Sequence, residues 1–443
     1  MKPDIFIITL GCPRNLVDCE VLVGSLKKLK YRVFYKIKKG CIGIVNTCGF
    51  ILDAKNESID VILELAELKK EGKIKKIIVT GCLSQRYSQK LMKDIKEIDA
   101  VFGSSTFMKI PEYLGEIAHG KKIVSIDKKP LFLYNQDTPR TLITPKHSVY
   151  IKIQEGCMNF CSYCVIPRIK GPYRSRSMDS VLDEITFLKK SGAKEITLVG
   201  QDTTLFGVDT HKKPMLAKLL TEASRIMKDG WIRLLYTHPA HYNPELIQVI
   251  KTMPAVCKYV DLAIQHINDK ILKKMNRHTT KKSITKLIKD LRKNIPGLGI
   301  RTSVIVGFPG ESDEDFDELE SFIKEIKFDR LGAFVYSREK GTPAYDFENQ
   351  IPDAVSRRRF ARIMELQKKI SREKNNLLLG KTMKVLIDQK KSKKTDFYTG
   401  RTECDAPEVD GVVYVKSSKV FKVGDFVDVK ITGVMEYDLA GVA

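Results

Sequence analysis

Six short apolar runs, each followed by an amphipathic stretch, fill the middle of the chain: "VYIKI", "EITLVG", "WIRLLY", "YVDLAIQ", "GIRTSVIVG" and "LGAFVYS", from Val149 to Ser337. Strand-sized runs alternating with helical periodicity imply parallel pairing, with the helices covering the sheet. Six such units predict a barrel or an incomplete barrel, with active groups at the C-terminal ends of its strands. The same alternation runs from residue 1 to about 140. There "IFIITL", "IGIVNTC", "KKIIVTGC" and "DAVFG" read as strands, and "VDCEVLVGSLKKL" and "ILDAKNESIDVILELAEL" as helices. This predicts a separate parallel α/β layer. "DTPRTLITPKHS" reads as a linker between the two.

Beyond them, "DAVSRRRFARIMELQKKISREKNNLLLG" reads as a long charged helix ending near Gly380. The short runs "MKVLIDQ", "FYTGRT", "GVVYV" and "DFVDVKITGV" then predict a small all-β barrel of the oligonucleotide-binding size. The expected division is 1–135, 143–373 and 374–443. In 443 residues no apolar run is long enough to span a bilayer, and the start of the chain does not read as a signal peptide. A cytosolic, reducing setting is therefore expected. Its ten cysteines are then metal ligands or buried thiols rather than disulfides. The net charge of +23 fits contact with RNA or ribosomes, and equally a solvated lysine-rich surface.

"EGCMNFCSYCVIP" places Cys157, Cys161 and Cys164 in the first βα loop of the barrel. A closed structural zinc site needs four ligands, and this loop offers three. Three thiolates can hold three corners of a 4Fe-4S cluster and leave the fourth iron open to a small molecule. Zinc with a remote fourth ligand such as His238 remains the alternative on spacing alone. A second set, Cys12, Cys48 and Cys82, occurs in "ITLGCP", "IVNTCGF" and "IVTGCL". Each follows a predicted parallel strand, and loops at those ends share one crevice. A second cluster with an open iron is expected there. Cys19, Cys41, Cys257 and Cys404 show no such pattern and read as small buried or half-buried residues.

Other residues at the barrel rim carry weaker signals. Tyr163 sits inside the triad, placed to pack on a planar ring or on the rim. Gln201 and Asp202 end the second barrel strand, and His238 and His266 also follow strands. "RTSVIVGFPGES" combines a glycine-rich strand end with a helix cap at Glu311 or Ser312. Arg168, Lys170, Arg174 and Arg176 form a basic stretch after the triad, fit for RNA, for a target carboxylate or for no partner.

Taken together these residues resemble the radical S-adenosylmethionine (radical SAM) superfamily. The upstream three-cysteine domain and terminal β-barrel are similar to those of its methylthiotransferases, with a UPF-type N-terminal domain and a TRAM domain. "LGCPRNLVDCE", "NTCGFI", "VTGCLSQRY", "EGCMNFCSYCVIPRIKG", "GQDTTLFGVD", "IQHINDKILKKMNR", "VGFPGE" and "CDAPEVDGVVYV" resemble the RimO branch, which methylthiolates C3 of an aspartate in ribosomal protein S-12. The sister branch, MiaB, modifies an adenosine in tRNA and is the alternative.

The resemblance implies a radical SAM cluster on Cys157, Cys161 and Cys164 and an auxiliary cluster, which delivers sulfur, on Cys12, Cys48 and Cys82. It implies S-adenosylmethionine as radical source and methyl donor. It also places Tyr163 near the adenine, with Gly200, Gln201, Asp202, Gln265, Ser303, Ile305 and Gly307 to Glu311 lining the pocket. An electron donor of flavodoxin or ferredoxin type, a sulfur source, and S-12 free or within the small subunit are the implied partners of a monomeric enzyme. A low-potential electron is required, and 4Fe-4S clusters reach about −700 mV at the extreme.

Charge separates the two substrates. From Lys381 onward eleven Lys and Arg face ten Asp and Glu, a net of +1 that leaves +22 on the rest. A barrel that grips tRNA should be basic. This one carries Glu403, Asp405, Glu408 and Asp410 close together, which suits a basic protein partner. A non-catalytic RNA-binding module with structural metal is a further class, which two open-site triads disfavour.

Overall fold

The computed structural model describes residues 2–391 and 396–443. The first layer is a six-stranded parallel sheet in the order β2-β1-β3-β4-β5-β6. Its strands are β1 (Ile5–Thr9), β2 (Val33–Phe34), β3 (Cys41–Thr47), β4 (Ile74–Gly81), β5 (Ala100–Phe102) and β6 (Ile123–Ser125). The central strands are buried on both faces, which is why they read as continuous apolar runs. After β2 the chain crosses to the far side of β1 to form β3. A crevice therefore opens between the C-terminal ends of β1 and β3.

Six parallel strands follow: β7 (Ser148–Lys152), then, past a short antiparallel ribbon of β8 (Gln154–Glu155) and β9 (Arg174–Ser175), β10 (Glu195–Val199), β11 (Trp231–Leu234), β12 (Tyr259–Gln265), β13 (Gly299–Val306) and β14 (Arg330–Val335). They form two sheets of three, β11-β10-β7 and β12-β13-β14. The bridges Ile232–Val256 and Thr237–Leu262 join the two into one arc. Alternation sorts the faces. Ile196, Leu198, Ile232, Leu234, Val260, Leu262, Val304 and Val306 pack under the helices in the largest core. Their neighbours Glu195, Arg233, Asp261, Arg301 and Ser303 face the concave side.

The last strands, β15 (Thr382–Lys390), β16 (Phe397–Thr402), β17 (Val413–Lys416), β18 (Phe426–Val434) and β19 (Leu439–Val442), close a barrel in the order β15-β16-β17-β19-β18. The helix Asp353–Asn376 leads into it, and its Gln367 donates to the Phe328 carbonyl at 3.0 Å.

One expectation needs correction. The acidic stretch after β16 is no free patch. It inserts into the concave side of the arc, with Ala406 wholly buried. Asp405 pairs with Arg330 at 2.6 Å, and Asp410 with Arg301 at 2.5 Å and the Tyr259 hydroxyl at 2.7 Å. Glu403 accepts the Lys258 N–H at 3.0 Å. Only Glu408 points to solvent, so a four-carboxylate docking surface does not exist. The linker runs without helix or strand between β6 and β7, and it is pinned. Arg140 pairs with Glu20 at 2.6 Å and Glu184 at 2.5 Å. Its backbone crosses Gly24 so closely that a Cβ there would lie 2.5 Å from the Arg140 nitrogen. Among the described residues no helix is long and apolar enough to cross a membrane.

Candidate active site

Cys12 and Cys48 come from the loops after β1 and β3, and Cys82 opens the helix Cys82–Asp94 that follows β4 directly. Gly11 has φ +89°, and a Cβ on it would stand 2.7 Å from the Cys48 Cβ. Gly81, at φ +100°, would meet the Thr47 carbonyl at 2.5 Å. Only glycine admits this approach of three strand ends. A polar frame then fixes them. The Asn15 amide donates to Leu10 O and Thr47 O at 3.1 and 2.9 Å, and its oxygen accepts the Cys82 thiol at 3.7 Å. The Ser58 hydroxyl takes the Cys48 N–H at 3.1 Å and donates to the Cys48 carbonyl at 2.9 Å.

The second triad lies in the loop between β8 and β9. Asn276 donates to Phe160 O at 3.0 Å, and the Ser162 hydroxyl to Lys274 O at 2.7 Å. Asp202, at the end of β10, accepts Asn159 Nδ2 at 2.7 Å and faces the His241 ring at 2.9 Å. Asp202 therefore orients the cysteine loop. Gln201 donates to Glu155 at 2.7 Å, just ahead of Cys157. Tyr163 packs with Met275, Ile305 and Phe308 at the rim. Gln265 sits at φ +69° where the β12–β13 register shifts. Gly307, at φ +75°, lies where a Cβ would collide with Ser356 Oγ. Ser312, not Glu311, caps the following helix, while Glu311 accepts the Phe308 N–H at 2.9 Å.

Burial pushes most of these thiols up: Cys48 and Cys164 upward, Cys157 to about 11 and Cys82 to about 12. Such thiols ionise only against a cation, which a bound metal cluster supplies. Burial is the strongest influence on Cys12 too, yet the Arg14 charge together with hydrogen bonds from Arg14 and the Asn15 N–H outweighs it and leaves that thiol below its usual value. Among the described residues no three His, Cys, Asp or Glu side chains close to single-ion spacing. His238 shows no ligand role either: its Nδ1 accepts the Ala240 N–H, its ring stacks on His241, and burial lowers it to about 2.

The fit to a polar ligand shows in orphaned groups. Both amide atoms of Gln154, Gln201 Oε1, Tyr173 OH and Arg277 Nε are buried without partners. Gln154 lies against Gly200, where a Cβ would meet it at 2.4 Å, and Arg277 Nη1 reaches the Cys161 sulfur at 3.5 Å.

Sequence reasoning missed Arg14, Asn15, Ser58, His241 and Arg277. Each acts through tertiary contact rather than motif spacing, although Arg14 and Asn15 adjoin Cys12 in "GCPRN". The basic stretch after Cys164 is largely structural. Lys170 is buried against Asp18 at 2.9 Å and Arg176 against Glu184 at 2.5 Å, which leaves Arg168 exposed.

Comparison with known proteins agrees with this architecture. Residues 151–323 match the radical SAM superfamily, residues 4–103 the uncharacterized protein family UPF0004 and residues 379–443 the TRAM domain. The ribosomal protein uS12 methylthiotransferase RimO of Clostridioides difficile is 47% identical over 437 residues, covering 99% of this chain and 98% of that protein. The chain belongs to the RimO family. The RimO protein of Thermoanaerobacter sp. is 46% identical over 438 residues, covering 99% of both chains. Among solved structures, the radical S-adenosylmethionine methyltransferase TsrM of Kitasatospora setae matches with TM-score 0.56 at 15% identity, covering 78% of this chain and 77% of that one. At that identity the likeness concerns the fold. Radical SAM chemistry, with a 4Fe-4S cluster and S-adenosylmethionine, follows for this RimO-family chain from its superfamily domain.

Proposed function

We propose that the chain adds a methylthio group to the β-carbon of an aspartate in ribosomal protein uS12, the S-12 of the sequence reading. One observation carries this: a single side chain, Arg14, links the first thiol triad to the strand end beside the second, across separate layers of the fold. Arg14 donates from Nε to Cys12 Sγ at 3.4 Å and from Nη1 to the Gly200 carbonyl at 3.1 Å, and its charge is also felt at Cys164. The names of the relatives support the substrate.

Cys157, Cys161 and Cys164 would hold the radical SAM cluster, and Cys12, Cys48 and Cys82 the auxiliary one. When bound, these groups supply the cleavage of an unactivated C–H bond and the sulfur, chemistry beyond any side chain. The protein's own residues position and enclose. Asp202 and Asn276 fix the cysteine loop. Tyr163, Gly200, Gln201, Gln265, Ser303, Ile305 and Gly307 line the S-adenosylmethionine pocket between the rim and β13. The plugged concave side keeps water and thiols from the reacting centre. A flavodoxin- or ferredoxin-type donor, a separate sulfur source, a monomeric state and a cytoplasmic setting complete the reading.

The test is a paired anaerobic assay of the reconstituted chain with S-adenosylmethionine, reductant and sulfide. One arm contains uS12 and the other undermodified tRNA. Mass spectrometry is expected to find a methylthio group on an aspartyl peptide only. Modification confined to tRNA would transfer the chain to the sister activity.

A further inference from the structure

We propose that Arg14 receives the side-chain carboxylate of the substrate aspartate between the two thiol triads. The inference rests on the functional reading above and names the group that recognises the target. Deeply set arginines of this protein are almost all neutralised by carboxylates. Arg140, Arg176, Arg233, Arg301, Arg330, Arg359 and Arg401 each have one within ion-pair distance.

Among the described residues Arg14 has none. Its guanidinium lies 4.5 Å over the Tyr236 ring, and its two hydrogen bonds end on a thiol and a carbonyl. Asp261 feels its charge but is already taken by the Tyr236 N–H at 2.9 Å and by Arg301 at 3.9 Å. Arg277 also lacks a carboxylate, but it lies against Cys161, on the side of the S-adenosylmethionine site.

The Cys12 thiolate offsets part of this partly desolvated charge, and a bound carboxylate would offset more of it. Nη2 makes no hydrogen bond among the described residues, so part of the planar fork that grips carboxylates remains available. The reacting β-carbon of an aspartate is bonded directly to its carboxyl carbon. An anchor for that carboxylate must therefore stand where both triads work, and Arg14 touches the Cys12 thiol and the strand end beside the other loop. Anchoring there would hold the β-carbon in reach of both.

The test uses reconstituted full-length chain, Arg14→Gln and Arg14→Lys, with uS12 carrying either Asp or Asn at the target position. Modification is followed as kcat/KM, and binding without reductant as Kd. Wild type is expected to prefer Asp over Asn by more than about tenfold. Arg14→Gln should abolish that preference in both readouts, and Arg14→Lys should restore part of it. Iron content and both cluster spectra should stay as in wild type. Undiminished preference in Arg14→Gln would overturn the proposal. So would loss of half the iron, which would assign Arg14 to the Cys12 thiolate alone. Wild type that leaves uS12 unmodified would overturn the functional reading itself, and this inference with it.

Discussion

Glu311 shows how burial sets a single residue's behaviour. It lies in the turn after β13, wholly buried, with Arg359 at 3.3 Å. Burial pushes its carboxyl up from 4.5 to about 7, while Arg359 pulls the other way. The folded chain therefore binds more protons than the unfolded one between those values, and stability falls as pH rises through them. Glu311→Gln should remove this slope, so that its stability relative to wild type rises by about 3 kcal/mol between pH 4.5 and 7.5, on top of a pH-independent cost from the weakened contact with Arg359. Urea denaturation across pH 4.5–7.5 checks it, and parallel profiles for the two proteins would refute it. The grouping of six cysteines into two trios was legible at this scale because each trio sits at strand ends or within one short loop. Arg14, Asn15 and Arg277 were not, because their roles depend on what the folded chain brings opposite them.

Elements were legible where their apolar runs were long. All six barrel strands and four strands of the first sheet stand where periodicity put them. β2 and β6 escaped, having two and three residues with mostly half-exposed side chains. β19 escaped as well, since a short "LAGV" owes its place to pairing with β17 and β18. The acidic stretch after β16 was misread because charge alone does not reveal whether arginines wait opposite. Its carboxylates are now predicted to stabilise domain docking. Asp410→Asn leaves Arg301 without its nearest partner, and should cost about 3–5 kcal/mol. The C-terminal barrel should then become sensitive to proteolysis at the Glu403–Asp410 loop. Denaturation and protease resistance unchanged from wild type would show that the plug contributes little.

At the scale of the whole molecule, two layers are apposed. The first sheet presents one triad, the partial barrel another, and buried ion pairs lock the layers together. Asp18 of the first layer meets Lys152 and Lys170 of the barrel, and Arg140 of the strap ties Glu20 to Glu184. The apposition predicts two clusters that are chemically independent yet neighbours. The most direct measurement is iron content with Mössbauer and EPR spectra, taken on anaerobically reconstituted wild type and on two triple variants. One variant replaces Cys12, Cys48 and Cys82 by alanine, the other Cys157, Cys161 and Cys164. Wild type should carry about eight irons and each variant about four, in spectrally distinct 4Fe-4S clusters. About four irons in wild type, or loss of all iron from either variant, would contradict the two-site account.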